Sequence, residues 1–90
     1  MFDRENDQEF YRNICHRIGE IRRQKGLTQE QLGVIADAAT KEIQRWETMA
    51  GLSLRTLRKL SMALECHIGE FFKKPRTKRP GPGRPKKYGA

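Results

Sequence analysis

The chain has 90 residues, which suffices for one small domain with tails and leaves no room for a second fold. No apolar run approaches the about 18 residues of a membrane span, and the N-terminus is too polar and acidic for a secretory signal. The net charge is +8, and eight of the 19 Lys and Arg residues lie in residues 73–90, beyond all 11 acidic residues. We therefore expect a cytoplasmic protein without membrane contact whose C-terminal end is suited to a polyanion.

The two cysteines predict neither a disulfide framework nor a metal site. Cys15 and Cys66 are each followed by a histidine, His16 and His67. Adjacent residues on a helix point about 100° apart, so one helix does not aim both at one ion, and the spacing is not that of a zinc finger. We expect reduced thiols, no metal and no cofactor.

A first helix is predicted over residues 7–25, after a flexible N-terminus over residues 1–8. Gly26 follows a basic last turn, which is the pattern of a left-handed C-terminal cap. Apolar residues recur at helical spacing and predict one stripe toward the core. That stripe comprises Phe10, Ile14, Ile18 and Ile21.

Two short helices joined by a tight turn are predicted over residues 28–47. Thr28, followed three residues later by Gln31, forms a capping-box pattern that starts the first of them. Asp37 interrupts the apolar pattern, and aspartate accepts the left-handed backbone that such a turn often requires. Gly33 lies where the two helices approach each other, so a bulky side chain there would push them apart. Two helices crossed in this way form a helix-turn-helix, whose second helix lies in a DNA major groove.

The second helix of this unit is predicted to begin near Thr40 and to bury Ile43 and Trp46. Its other face is polar and within reach of a partner. The side chains on that face are Thr40, Lys41, Gln44 and Arg45.

After a loop over residues 48–52, Ser53 is predicted to cap a fourth helix over residues 54–64. A short fifth helix follows over residues 68–73, and Pro75 is predicted to end both the helix and the fold. The folded domain is thus expected to span residues 9–74.

Phe71 and Phe72 are neighbours in the fifth helix and cannot both face one core. One alternative is that one of them joins Met62 or Ile68 in an apolar patch that pairs with a second subunit. The other is that both cover the end of the first helix.

Residues 75–90 form a basic tail, and prolines and glycines within residues 78–87 exclude a regular helix or sheet there. We expect this segment to be extended and disordered. A charge block of this kind is typical of an arm that binds nucleic acid, and the alternative is a solubilising tail.

A motif over the central helices consists of Leu27, Thr28, Gln29, Leu32, Gly33, Ile43, Trp46 and Glu47. On these residues, the segment from about residue 14 to residue 72 resembles the lambda-repressor-like (Cro/C1 or XRE type) helix-turn-helix family. Two departures occur, at Asp37, where glycine is usual, and after Glu47, where Asn/Arg-Gly is usual. The resemblance implies an all-α, five-helix DNA-binding domain.

The resemblance also implies roles for individual residues. Arg22 is expected to pair with Glu47 and to set the orientation of the second motif helix, and Arg55 is expected to contact DNA phosphate. In the tail, Gly-Arg-Pro centred on Arg84 resembles an AT-hook, which lies in the narrow A·T minor groove. Pro82 stands where a second Arg is usual, so an arm that binds any duplex electrostatically is the close alternative. The basic residues of such an arm are Lys73, Lys74, Arg76, Lys78, Arg79, Lys86 and Lys87.

The expected function is sequence-specific regulation of transcription, as a repressor on double-stranded DNA in the nucleoid and as a homodimer. The four polar residues from Thr40 to Arg45 would contact base edges, and Thr28 and Gln29 would hold phosphate at a helix N-terminus. The alternatives are an antitoxin with a toxin partner, a restriction-modification controller, and an architectural DNA-binding protein. No arrangement of catalytic residues is present in the sequence, so we expect no enzyme.

Overall fold

The computed structural model describes residues 6–48 and 51–77, which form four α-helices and one 3₁₀ helix. The α-helices are α1 (Asp7–Gln24), α2 (Gln29–Ala36), α3 (Thr40–Thr48) and α4 (Leu54–Ala63), and the 3₁₀ helix is Ile68–Phe72. No strand occurs in either described range. No helix within these ranges is long and apolar enough to cross a membrane.

The caps of α2 and α4 and the glycine that follows α1 lie where the sequence predicts. Thr28 accepts from the Gln31 N–H at 3.0 Å, and the Gln31 side chain accepts from the Thr28 N–H at 2.8 Å, which confirms the capping box. Ser53 accepts from the backbone N–H of Thr56 and caps α4. Gly26 has a φ of 74° at the end of α1, and this positive φ favours glycine.

The α1 helix lies at the centre of the fold, and all nine residues from 14 to 22 are buried. The sequence predicts only one buried stripe on this helix. The structure differs because α3 packs against α1, and so does the 3₁₀ helix. The hydrophobic core is built from α1 together with residues of every other helix. Its members are Ile14, Ile18, Ile21, Leu32, Ile43, Leu57, Leu60, Leu64 and Phe71.

Several details differ from the sequence-based expectations. The predicted fifth α-helix is a 3₁₀ helix, because its five residues are too few for a ladder of bonds four residues apart, and Glu70 N–H instead donates to His67 O at 2.9 Å. Phe10 does not extend the core stripe, because it lies in the exposed first turns of α1 beside Tyr11. Trp46 is only partly buried, since it packs at the margin of the core rather than within it.

Phe71 and Phe72 separate as neighbouring residues must. Phe71 is fully buried in the core, whereas Phe72 is 50% exposed. Only Phe71 joins the core, whereas Phe72 lines a groove with Phe10 and Tyr11 in the first turns of α1.

The hydrogen-bonded chain extends past Pro75, which the sequence predicts as the end of the fold. The backbone N–H groups of Arg76 and Thr77 donate to the buried carboxylate of Glu20 on α1. Sequence periodicity does not predict this contact, because it joins residues that are 56 and 57 positions apart.

Candidate nucleic-acid interface

The turn between α2 and α3 lies against the backbone of α2 at Gly33. A Cβ atom at this position would lie 2.6 Å from the carbonyl oxygen of Ala38. Real Cβ atoms essentially never come within 3.0 Å of such an atom. The Ala38 N–H donates to the Gly33 carbonyl at 2.8 Å, and Asp37 between them has a φ of 56°. The predicted left-handed aspartate is confirmed, and the close approach at Gly33 is made by the turn that leads into α3 rather than by α3 itself.

One face of α3 is buried and the opposite face is exposed. Ile43 has no solvent exposure, and Lys41, Gln44 and Arg45 are exposed on the other side. Thr48 was predicted to lie in a loop, but α3 continues to this residue, which therefore joins the exposed face one turn further along. The exposed residues stand at spacings of three, four and seven from Lys41, so they form one polar stripe.

The N-terminus of α3 is held by an acidic side chain rather than by a hydroxyl cap. The Ala39 N–H donates to Glu42 Oε1 at 3.0 Å, and the Glu42 and Ile43 N–H groups donate to the Ala39 carbonyl. Thr40 is half-buried beside this turn and is less accessible than the other three predicted base-contacting residues. This role of Glu42 was not predicted from the sequence, although a Glu at the third position of a helix is the usual signal for such a contact.

The C-terminal end of α3 is fastened to α1 by an ion pair. Arg22 Nε donates to Glu47 Oε2 at 2.6 Å and Arg22 Nη2 donates to Glu47 Oε1 at 3.2 Å, with 11% and 6% of the two side chains exposed. Arg22 Nη1 also donates to the Leu27 carbonyl at 2.7 Å, and Gln29 Nε2 donates to Glu47 Oε1 at 3.0 Å. These bonds tie α1, α2 and the end of α3 into one unit, so the polar stripe has a defined orientation.

The predicted phosphate-contacting residues lie in different environments. Thr28 is exposed, but its hydroxyl already accepts a bond within the capping box. Gln29 is half-buried, and its amide group is engaged by Glu47. Arg55 is exposed in the first turn of α4. Five predicted tail contacts lie outside the described residues, namely Lys78, Arg79, Arg84, Lys86 and Lys87. The other basic residues predicted for the arm are described and exposed, namely Lys73, Lys74 and Arg76.

The two cysteine-histidine pairs are not brought together. Cys15 is buried on α1, and burial raises the pKa of its thiol to about 11. Cys66 is half-buried, and the pKa of its thiol is also raised by burial. No group of three metal-ligating side chains occurs among residues 6–48 and 51–77. The cysteines are therefore protonated at neutral pH and contribute to packing.

Comparison with known proteins identifies the same central segment. The model of the family HTH_3, described as Helix-turn-helix, matches residues 18–71. No curated protein matches the chain. Among solved structures, the restriction-modification controller protein C.AhdI from Aeromonas hydrophila is 28% identical, with a TM-score of 0.65 over 71% of this chain and 97% of that chain.

Two further solved structures share the fold. An HTH_3 family transcriptional regulator from Vibrio cholerae is 20% identical, with a TM-score of 0.68 over 74% of this chain and 38% of that chain. The hypothetical transcription factor NHTF from Neisseria is 18% identical, with a TM-score of 0.67 over 84% of this chain and 90% of that chain.

Proposed function

The chain belongs to the HTH_3 helix-turn-helix family, whose regulators bind DNA, and we propose that it is a sequence-specific transcriptional repressor. The observation that carries this proposal is the exposed polar stripe of α3, opposite the buried Ile43. A family of this kind is generally not enzymatic. A small domain is sufficient for repression. A protein bound at a DNA site excludes other proteins from that site, and it needs no further surface to contact them.

Base contacts are proposed for Thr40, Lys41, Gln44 and Arg45. Lys and Arg suit guanine O6 and N7, whereas Gln suits adenine N6 and N7. Each well-formed pair contributes roughly 1–3 kcal/mol of discrimination against the wrong base. We expect Arg45→Ala to relax the preference at one base position of a site selected from random duplexes. Arg58→Ala is the matched control, because Arg58 is an exposed arginine on α4. Equal loss of affinity on every sequence for Arg45→Ala would contradict base contact.

Phosphate contacts are proposed for Thr28, Gln29 and Arg55. Arg55 is exposed near the N-terminus of α4, where partial positive charge favours an anion. We expect Arg55→Ala to weaken all duplexes alike and to lower the salt slope of binding by about one. Retention of the full slope would exclude this contact.

The basic tail is proposed as a second DNA-contacting element. Lys78, Arg79, Arg84, Lys86 and Lys87 would lie along the duplex, with Arg84 in an A·T-rich minor groove. We expect deletion of residues 78–90 to weaken binding on every duplex and to flatten its salt dependence. A loss confined to A·T-rich flanks would favour the minor-groove interpretation over plain electrostatic contact.

A homodimer is proposed through the region of Phe72. This side chain is half-exposed and lines an apolar groove with Phe10, Tyr11 and Leu52. An exposed apolar patch of this kind is a common site of subunit contact. We expect Phe72→Gln to shift the sedimentation coefficient toward that of a monomer. Val34→Gln, a change at an exposed apolar residue of α2, serves as the comparison. An unchanged oligomeric state in Phe72→Gln would move the interface elsewhere.

A second candidate is a restriction-modification controller. It is favoured by the similarity to C.AhdI, which extends over 97% of that chain. A methyltransferase or endonuclease gene beside this one, with the selected site upstream of it, would support this function. A toxin gene in that place would support an antitoxin. Affinity that is largely kept when Lys41 and Arg45 are both changed to alanine would favour an architectural protein.

A further inference from the structure

The Glu20 carboxylate binds the first residues of the basic tail. Glu20 Oε2 accepts from the Arg76 N–H at 2.8 Å, from the Thr77 N–H at 2.6 Å and from the Thr77 hydroxyl at 2.7 Å. His16 Nε2, on the same face of α1, lies 2.9 Å from the Thr77 carbonyl oxygen. We call residues 74–77 the root of the C-terminal arm and residues 78–90 the arm.

The charge of Glu20 is balanced within the protein. Arg17 Nη1 donates to Glu20 Oε1 at 2.7 Å, and only 5% and 4% of the two side chains are exposed. Arg17 also donates through Nε to the Glu70 carbonyl at 3.0 Å and through Nη2 to Glu70 Oε1 at 3.2 Å. Burial alone would raise the pKa of Glu20, but hydrogen bonds from Arg17, Thr77 and Arg76 outweigh it and lower the pKa to about 2. The acceptor is thus a carboxylate at any pH near neutrality.

The same part of α1 also holds the end of α3. A Cβ atom on Gly19 would lie 3.0 Å from Glu47 Oε1. The residue of α1 that precedes Glu20 therefore lies against Glu47, near the end of α3. The root and the end of α3 are therefore both attached to α1 within residues 16–22. The root begins after Lys73, whose ammonium lies 2.9 Å from Glu70 Oε2.

We propose that Glu20 is a docking site for the root, and that it fixes where the basic arm leaves the domain relative to α3. This inference rests on the proposed DNA-binding function of the arm. From a fixed origin at Thr77, thirteen residues reach roughly 45 Å when fully extended, which exceeds one turn of DNA at about 34 Å. The arm can then contact the duplex that α3 occupies. The position of its first residue relative to α3 is fixed by the bonds of the root to Glu20.

Releasing the root lowers the effective concentration of the arm at the duplex. The tether would lengthen from 13 to 17 residues, and a −3/2-power dependence on length gives a loss of about 1.5-fold before any loss of direction. We therefore expect a loss of affinity of about twofold or more, with the salt slope unchanged, because the same charges still reach DNA.

The first experiment measures amide hydrogen exchange of Arg76 and Thr77 by NMR in the full-length protein. We expect both N–H groups to be protected and Glu20→Gln to speed their exchange about tenfold or more. Glu9→Gln makes the same charge change on an exposed part of α1 and should leave both rates unchanged. Thr77→Val removes one donor without touching the core and should speed exchange of the Arg76 N–H, even if Glu20→Gln impairs folding. Equal exchange rates in all variants would overturn the docking site.

The second experiment combines Glu20→Gln with a neutralised arm in a double-mutant cycle on a selected duplex. With the native arm, we expect Glu20→Gln to lower affinity about twofold or more; with the neutralised arm, it should have no effect. An equal loss in both backgrounds would overturn the positioning role. If neutralising the arm alone changes nothing, the DNA-binding role of the arm fails, while hydrogen exchange still decides the docking site. The neutralised arm carries Lys78→Gln, Arg79→Gln, Arg84→Gln, Lys86→Gln and Lys87→Gln.

Discussion

Replacing Gly33 with alanine tests whether the approach of α2 to the following turn sets the position of α3. The new methyl carbon would lie 2.6 Å from the Ala38 carbonyl oxygen, and ordinary contact begins near 3.4 Å, so one of the two backbones must move by about 0.8 Å. This obstacle is backbone, and it belongs to the turn that leads directly into α3. The shift is therefore passed to the polar stripe of α3.

The expected cost follows from two opposing effects. Overpacking in a tight site costs about 1–3 kcal/mol, whereas alanine stabilises a helix interior relative to glycine by about 1 kcal/mol. Because the obstacle is backbone rather than a flexible side chain, the upper part of that range, about 2–3 kcal/mol, applies, and the free energy of unfolding should fall by about 1–2 kcal/mol. For a domain of this size, that lowers Tm by roughly 5–15 °C.

Thermal unfolding followed by circular dichroism measures the loss, and Gly69→Ala is the matched control. A Cβ atom on Gly69 meets nothing within 4 Å, so this variant should match or slightly exceed the native Tm. DNA binding is compared at a temperature where both variants are folded. In Gly33→Ala, the loss of binding free energy for a selected duplex should exceed the loss of unfolding free energy. A Gly33→Ala protein as stable as Gly69→Ala, with unchanged DNA preference, would refute the reasoning.

Predictions at four other sites test further contacts of the fold. Arg22→Ala leaves the largely buried carboxylate of Glu47 without its ion partner. Chemical denaturation should therefore show that the free energy of unfolding falls by about 3–5 kcal/mol. A fall of less than about 1 kcal/mol would contradict this pairing. Asp37→Gly should keep or raise Tm, because glycine adopts the left-handed φ freely. Asp37→Ala should lower the free energy of unfolding by about 1 kcal/mol, because alanine is strained at this φ. Equal Tm values for the two variants would argue against a left-handed residue 37. The lowered pKa of Glu20 stabilises the folded state above the reference pKa of 4.5, and this contribution is lost as pH falls from about 4.5 toward 2. Glu20→Gln should therefore flatten the dependence of Tm on pH in this window. The thiol of Cys15 should be alkylated at pH 8 about a hundredfold more slowly in the native than in the unfolded protein, because burial keeps it protonated.

Features that depend on neighbouring residues were predictable from sequence. Three such features join residues no more than four positions apart in the chain. They are the capping box of Thr28 and Gln31, the left-handed turn at Asp37 and the cap of α4 at Ser53. Helical periodicity likewise separates Ile43 from the exposed Lys41, Gln44 and Arg45, because it reports which residues share a face.

The Arg22–Glu47 contact was expected only through the family resemblance, because no local pattern joins residues 25 positions apart. The extension of α3 to Thr48 was missed, because the sequence there carries no clear stop signal, and neither glycine nor proline follows directly. The 3₁₀ form of residues 68–72 also escaped prediction, since periodicity in so short a segment does not distinguish it from an α-helix.

Sequence by itself determined α1, α2 and α4, the caps at Thr28 and Ser53 and the polar stripe of α3 from Lys41 to Arg45. Each follows from side chains a few residues apart along the chain. Only the tertiary structure decided that the polar side of α1, with Arg17 and Glu20, is buried rather than solvated. A charged side chain on a helix has the same local pattern whether water or protein covers it. The difference arises because the chain after Phe71 returns across α1, and its backbone N–H groups complete the hydrogen bonds that a buried carboxylate requires.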